Sequence, residues 1–225
     1  MRIVGKLWKI LINPHLCAMW ILKESLHNDC VLGIWKIEEE ENFFLGQFPV
    51  DEARLASISH SAKRLEFLAA RYVAAQLSEQ PHAALILNKE NRAPYFPHLA
   101  YGLSISHCNQ YVAVLLHKKG KAVGVDIEIS GEKITRVADR FISDEERAPQ
   151  YPTHLAQTLC WSIKEAVFKL LDIPGITFKS ELRIQAWDKQ IAEVAVEHTN
   201  FNGTVKVHYR VLAQFPGLVL AYTVQ

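Results

Sequence analysis

The sequence lacks most of what would mark a specialised architecture. Only four of its 225 residues are cysteine, at Cys17, Cys30, Cys108 and Cys160, and none stand in a C-x-x-C pair. That spacing excludes a paired-cysteine zinc site and a disulfide framework, and it suits inert thiols in a reducing cytoplasm. Charge of one sign is lacking too: 25 Lys and Arg stand against 24 Asp and Glu, leaving a formal net charge of +1. A protein that neutralises phosphates along a duplex is usually strongly basic, so no nucleic acid is expected as partner. A local basic pocket for one small phosphorylated ligand stays open. No apolar run approaches the roughly 18 residues that suggest a membrane span, so no membrane partner is expected either. Residues Met1 to Ile12 outline a signal peptide, but Lys9, Asn13, Pro14 and His15 break the apolar core and no A-x-A site follows.

With 49% hydrophobic and 22% charged residues, the chain has the composition of a globular protein with a sizeable core. Its length allows one large domain or two small ones. Cys30 to Ile37 reads as a strand that runs into an acidic, solvated turn at Glu38–Glu41. From Ser59, apolar residues at Leu65, Leu68, Tyr72, Val73 and Leu77 predict an amphipathic helix with Lys63, Arg64 and Arg71 on its polar sides. Strands are expected at Ala84–Leu87, Leu103–Ser106, Tyr111–His117 and Lys121–Ile129. A short helix is expected from Ser143, where Ser143-Asp144-Glu145-Glu146 fits a capping box. Leu155 to Leu171 predicts a second long helix, stopped by Pro174-Gly175. The tail returns to strands at Leu182–Trp187, Ile191–Glu197, Val205–Val211 and Leu218–Val224. The expected fold is α+β with two similar lobes, each a small, mainly antiparallel sheet packed with a long helix. The expected divisions are a possible N-terminal extension over residues 1–18, an N-terminal lobe over 19–117 and a C-terminal lobe over 118–225.

Two segments could carry chemistry. In Val123-Gly124-Val125-Asp126-Ile127-Glu128-Ile129, strand alternation points Gly124, Asp126 and Glu128 to one face. Two carboxylates there repel unless solvated or bridged by a cation, and Mg²⁺ takes one or two protein carboxylates while leaving room for phosphate oxygens. Taken alone, a solvent-facing strand accounts for the pair more simply. In Trp161-Ser162-Ile163-Lys164-Glu165-Ala166-Val167-Phe168-Lys169, Glu165 and Lys169 lie four apart on one helical face. A surface ion pair worth about 0.3–0.5 kcal/mol is the simpler account of that spacing. A third metal-binding carboxylate with a lysine beside it is the sharper one.

Taken together and in order, GVDIE, RFISDEE and WSIKEAVFK closely resemble the 4′-phosphopantetheinyl transferase superfamily, in its surfactin-type, pseudo-dimeric class. The resemblance extends upstream to KRLEFLAARYV (Lys63–Val73) and to Ser104-Ile105-Ser106-His107, and covers roughly Val31 to Phe178. It implies an enzyme that transfers 4′-phosphopantetheine from coenzyme A to a serine of an apo acyl or peptidyl carrier protein. The reaction would depend on Mg²⁺ and release adenosine 3′,5′-bisphosphate. Asp126, Glu128 and Glu165 match the family's magnesium carboxylates. Asp126, Glu165 and Lys169 match its catalytic set, with Lys169 approaching the diphosphate. Ser106 and His107 match a coenzyme A contact, and Lys63, Arg64 and Arg71 match a basic helix facing the nucleotide. Where the family often has Gly-Lys-Pro, this chain has Arg92-Ala93-Pro94, so Arg92 or Lys89 would supply the charge. The resemblance further implies activity as a monomer. The rival readings are a Mg²⁺-dependent phosphohydrolase and a non-catalytic coenzyme A or carrier-protein binding module.

Overall fold

A computed structural model describes residues 20–26, 29–146 and 151–225. Residues 1–18, read as an extension, lie outside them. In chain order the elements are β1 (Trp20–Leu26), β2 (Cys30–Lys36), α1 (Glu41–Phe44), α2 (Glu52–Ala56), α3 (Ser61–Ser78), β3 (Leu87–Asn88), β4 (Pro94–Tyr95), β5 (Gly102–Cys108), β6 (Tyr111–His117), β7 (Val123–Ile129), α4 (Glu132–Thr135), α5 (Thr153–Leu171), β8 (Leu182–Asp188), β9 (Ile191–His198), β10 (Phe201–Val211) and β11 (Leu218–Val224). Among the described residues no helix is long and apolar enough to cross a membrane.

The fold is α+β in two lobes. One sheet has the order β1-β2-β6-β5 and the other β7-β11-β10-β9-β8, with every pairing antiparallel. Each sheet buries its two faces differently, because strand side chains alternate. On the outer face of the first sheet, Val31, Trp35, Val112 and Val114 pack under α3 through Leu68, Tyr72, Val73 and Leu77. Tyr72 stands edge-on to Trp35, Phe43 and Phe44, the geometry in which aromatic rings attract beyond their area burial. On the outer face of the second sheet, Val194, Val207, Val219 and Ala221 pack under α5 through Leu159, Ile163 and Val167. The inner faces meet each other. Leu32, Ile34, Ala113 and Leu115 of the first sheet form one cluster with Val123, Val125, Ile127, Leu218 and Leu220 of the second.

That sandwich lays β5 beside β7 without joining it in a ladder. Gly102 permits that approach, and Gly124 lets α5 lie close on β7. A Cβ on Gly102 would stand 1.9 Å from the Lys121 carbonyl oxygen, and one on Gly124 would stand 1.9 Å from the Ala166 carbonyl oxygen of α5. Both neighbours are backbone and cannot swing aside.

Several expectations need correction. The strand read at Ala84–Leu87 shrinks to the two residues of β3, because a 3₁₀ turn at Pro81–Ala83 takes up the preceding chain. A tight hairpin then pairs β3 with β4, with Arg92 at φ +70° in its turn. The helix read from Ser143 is a 3₁₀ turn over Asp144–Glu146 within the described residues. Only half of the capping box forms: the Ser143 amide donates to Glu146 Oε2 at 2.8 Å, while Ser143 Oγ lacks a hydrogen-bond partner. The acidic run Glu38–Glu41 is not simply solvated, since Glu39 accepts from the Trp35 indole and Glu41 pairs with Arg64. Strand β1 and the short helices α1 and α2 had no clear sequence signal.

Gly124→Ala should destabilise the fold by at least about 2 kcal/mol, because overpacking against immovable backbone forces α5 off β7. Urea denaturation read by far-ultraviolet circular dichroism measures it, and a loss under 0.5 kcal/mol would show that the close approach is not tight.

Candidate active site

Asp126 points from β7 toward α5 and is only 3% exposed. A buried carboxylate is costly unless it is paired and hydrogen-bonded, and this one has three donors. Ser106 Oγ of β5 donates to Oδ1 at 2.8 Å, Lys169 Nζ to the same oxygen at 2.7 Å, and Ser162 Oγ to Oδ2 at 2.7 Å. Lys169 Nζ also donates to Ser106 Oγ and to the Val125 carbonyl, each at 3.0 Å. Ser104 Oγ accepts from the Val125 amide at 3.0 Å. One strand of the first lobe is thereby hydrogen-bonded to the strand and helix of the second. The Glu165–Lys169 surface pair suggested by spacing does not describe the lysine, which turns away from solvent to the more deeply buried Asp126.

Glu128, next on the same strand face, is half-buried. Burial and then Asp126 push its carboxyl up, while the Cys108 thiol, Lys169 and the Trp161 indole oppose the rise. Glu165 on α5 is pushed up to about 7, first by burial and then by Asp126 and Glu128, against the pull of Lys169. The three carboxylates therefore share one electrostatic neighbourhood. No group of three His, Cys, Asp or Glu side chains among the described residues is arranged to hold a metal ion unaided. Mg²⁺ does not ask for such a cage: it keeps several waters and uses one or two carboxylates with substrate phosphates. Three hard oxygen donors beside a single ammonium leave net negative charge, which fits that ion.

Two cavities flank this cluster. A cleft of about 650 Å³ between the lobes is lined by Lys89, Tyr95, Leu103, Lys121, Phe168 and Lys169, among others. A second pocket of about 440 Å³ is lined by Arg54, Lys63, Glu66, Arg71 and His107. Arg92, Pro94 and Ile105 line both. Such a long, partly basic groove beside a carboxylate cluster suits an extended phosphorylated ligand.

A family model for the 4′-phosphopantetheinyl transferase N-terminal domain matches residues 51–117, and one for the 4′-phosphopantetheinyl transferase superfamily matches residues 122–223. The chain belongs to the 4′-phosphopantetheinyl transferase superfamily. Similar proteins include enterobactin synthase component D of Escherichia coli O157:H7 and of Shigella flexneri. Each is 30% identical over 165 residues, covering 69% of this chain and 77% of the relative. The protein of that name from Escherichia coli strain K12 is 28% identical over the same coverage.

The residues named from the sequence sit unevenly in this transferase. Asp126, Glu128, Glu165, Lys169 and Ser106 come together, although Ser106 bonds Asp126 and Lys169 rather than lying free for a ligand. His107, Lys63, Arg71 and Arg92 line the second pocket. Lys63 Nζ and His107 Nδ1 both meet Glu66 Oε2, at 2.6 and 3.2 Å. Burial holds His107 below the usual imidazole range, against Glu66 and with help from Lys63 and Lys169. Arg71, read as a polar-face residue, is buried. Its guanidinium lies 3.4 Å from the Phe67 ring centre and donates to the Phe67 carbonyl and Asn88 Oδ1, while Nε lacks a partner. Burial pushes it down to about 10. Arg64 stays away from the pocket, held by Glu41 at 2.9 Å and the Leu55 carbonyl at 2.8 Å. Sequence reasoning passed over Ser162, Ser104, Glu66 and Arg54. The two serines stand within the SISH and WSIKE motifs, which was the available signal; Arg54 and Glu66 carried none.

The raised Glu165 group has a consequence for stability. Its contribution is fully present below the unfolded carboxyl range and is lost as pH rises through about 7. Without added metal the protein should therefore lose about 1–3 kcal/mol between pH 5 and 8 from this group, and Glu165→Gln should flatten that part of the profile. Chemical denaturation at stepped pH tests this; parallel profiles for the two proteins would place Glu165 in a more solvated setting.

Proposed function

We propose that this enzyme transfers the 4′-phosphopantetheine group of coenzyme A to a serine hydroxyl of an apo carrier protein, and that Asp126, Glu128 and Glu165 hold Mg²⁺ for the reaction. The observation that carries the reading is the buried, triply hydrogen-bonded Asp126 beside Glu128 and Glu165, with its partner Lys169 lining a cleft that shares Arg92, Pro94 and Ile105 with a basic pocket. The match of residues 122–223 to the 4′-phosphopantetheinyl transferase superfamily supports the transfer of that group. Both lobes come from one chain and both contribute to the site, with residues 19–117 supplying Ser106 and residues 118–225 supplying the carboxylates and Lys169. A monomer therefore suffices.

The residues divide the work by environment. In the transfer, the serine oxygen bonds to the pantetheine-side phosphorus and the bridging P–O bond breaks. Its electron pair departs with adenosine 3′,5′-bisphosphate. The serine proton needs an acceptor, and Glu165 would take it directly or through one water. Lys169 lines the cleft and carries the positive charge nearest to Asp126, so it orients that carboxylate and meets phosphate oxygens from the same side. Held by Asp126, Glu128 and Glu165, Mg²⁺ would neutralise charge on the diphosphate. Arg71 and Arg92 face the second pocket, where Arg71 has a buried unpartnered N–H for a phosphate. Arg92 stands where the two cavities join.

Incubating the protein with coenzyme A, Mg²⁺ and apo carrier proteins of fatty-acid, polyketide and nonribosomal-peptide type should add one phosphopantetheine to a single serine, read by intact mass. Chelation should abolish transfer, and Asp126→Asn should lower kcat by at least ~10²-fold, as losing one preorganised electrostatic group does. Tight coenzyme A binding with no mass gain on any carrier would favour the binding-module reading, and unimpaired transfer by Asp126→Asn would remove the assigned metal site.

Arg92→Ala should raise KM for coenzyme A about tenfold with little change in kcat, the signature of lost uniform binding. With 3′-dephospho-coenzyme A the wild type and variant should converge. A KM difference that persists with the dephosphorylated substrate would assign Arg92 to the diphosphate instead.

A further inference from the structure

Asp172 ends α5 with a residue type that the helix itself does not favour. It is the C-cap, at φ +53°, and its amide donates to the Phe168 carbonyl at 3.0 Å. Glycine or asparagine is the usual residue in that left-handed conformation, and an acid stands against the negative end of the helix dipole. What this carboxylate does is bind across the lobes. Lys89 Nζ donates to Oδ2 at 3.0 Å and Asn91 Nδ2 to Oδ1 at 2.6 Å, both from the hairpin of β3 and β4.

The same hairpin is fastened on its other side to the first lobe. Asn88 Nδ2 donates to the Arg92 carbonyl at 2.7 Å, and Asn88 Oδ1 accepts from Arg71 Nη2 at 3.1 Å. Asn91 Oδ1 accepts from the Ala93 amide at 3.1 Å, so the side chain that reaches Asp172 also shapes the turn carrying Arg92. Lys89, Asn91 and Arg92 line the cleft together with Phe168, Lys169 and Asp172 of the second lobe. The two bonds to Asp172 thus join two of the elements that enclose it. With a carboxylate against it, Lys89 brings little net charge to the cleft, and Arg92 is the cation that the hairpin presents.

We propose that Asp172 is a positioning residue for coenzyme A binding: through Lys89 and Asn91 it seats the β3–β4 hairpin, and so places Arg92 where the cleft meets the second pocket. The proposal rests on coenzyme A occupying that cleft. It concerns affinity rather than turnover, because Asp172 reaches the hairpin and not the carboxylate cluster.

The test is Asp172→Gly, which removes the carboxylate and keeps a residue suited to φ +53°. An exposed ion pair adds little to stability, so the melting temperature should stay within about 3 °C of the wild type. In the substrate-free protein, the amides of residues 87–95 should exchange with deuterium about threefold faster, read by mass spectrometry. By calorimetry with Mg²⁺ present, Kd for coenzyme A should rise about three- to tenfold, while kcat in the carrier assay stays within about twofold. Asn91→Asp keeps the acceptor for the Ala93 amide and sets a like charge against Asp172. It should weaken binding in the same direction, and it decides the matter if Asp172→Gly does not fold. In the double variant the two losses should not add, since both undo one contact. An unchanged Kd in Asp172→Gly overturns the proposal, and unchanged hairpin exchange does so without any ligand. A lower Kd also overturns it and makes Lys89, freed from Asp172, the phosphate ligand instead. A wild type that binds coenzyme A but modifies no carrier overturns the proposed reaction separately and leaves the affinity comparison standing.

Discussion

The structure depends on one carboxylate taken out of water. Asp126 can be buried only because two hydroxyls and an ammonium reach it from two elements, one in each lobe. Ser106 arrives from the edge strand of one sheet, and Ser162 and Lys169 arrive from the helix that covers the other. The site therefore exists only when the lobes are docked. The docking is apolar underneath, through the sheet-on-sheet cluster, and sterically permitted at the edge by Gly102. Removing one partner from such a buried charge typically costs about 3–5 kcal/mol, so the same contacts hold both the fold and the chemistry.

The acidic groups of the cluster have the same chemistry and different environments. Asp126 has an ammonium against it and two hydroxyls to accept from. Glu165 has burial and two acidic neighbours, which lift it to about 7. The unequal partition follows from geometry: Lys169 reaches β7 from its position on α5, and its contact with Asp126 leaves Glu165 the less compensated. The two cavities add a second asymmetry, with Lys169 in one, Arg71 and His107 in the other, and Arg92 lining both.

The two long helices and the strands of the second lobe were legible because amphipathic periodicity and strand alternation are local. So was the sharing of one face by Gly124, Asp126 and Glu128, which follows from a period of two. Local signals failed where a distant group competed. The capping box at Ser143 was half-made because Lys164 and the Ile184 amide claim Glu146. The i, i+4 pair of Glu165 and Lys169 lost to a better-buried acceptor. Arg71 was placed on a polar face by periodicity, yet the Phe67 ring and Asn88 of the β3–β4 hairpin close against it.

The sequence by itself determined the order of the motifs, the residue types of the carboxylate cluster and the α+β character, all of which are encoded in short stretches of chain. Only the tertiary structure decided that Asp126 is buried, that Lys169 serves it rather than Glu165, that Arg64 faces Glu41 instead of the pocket, and that Lys164 is buried against Glu146. Each of these is a competition between partners far apart in sequence. Its outcome turns on which carboxylate is most desolvated once the sheets have packed, and no local pattern records that.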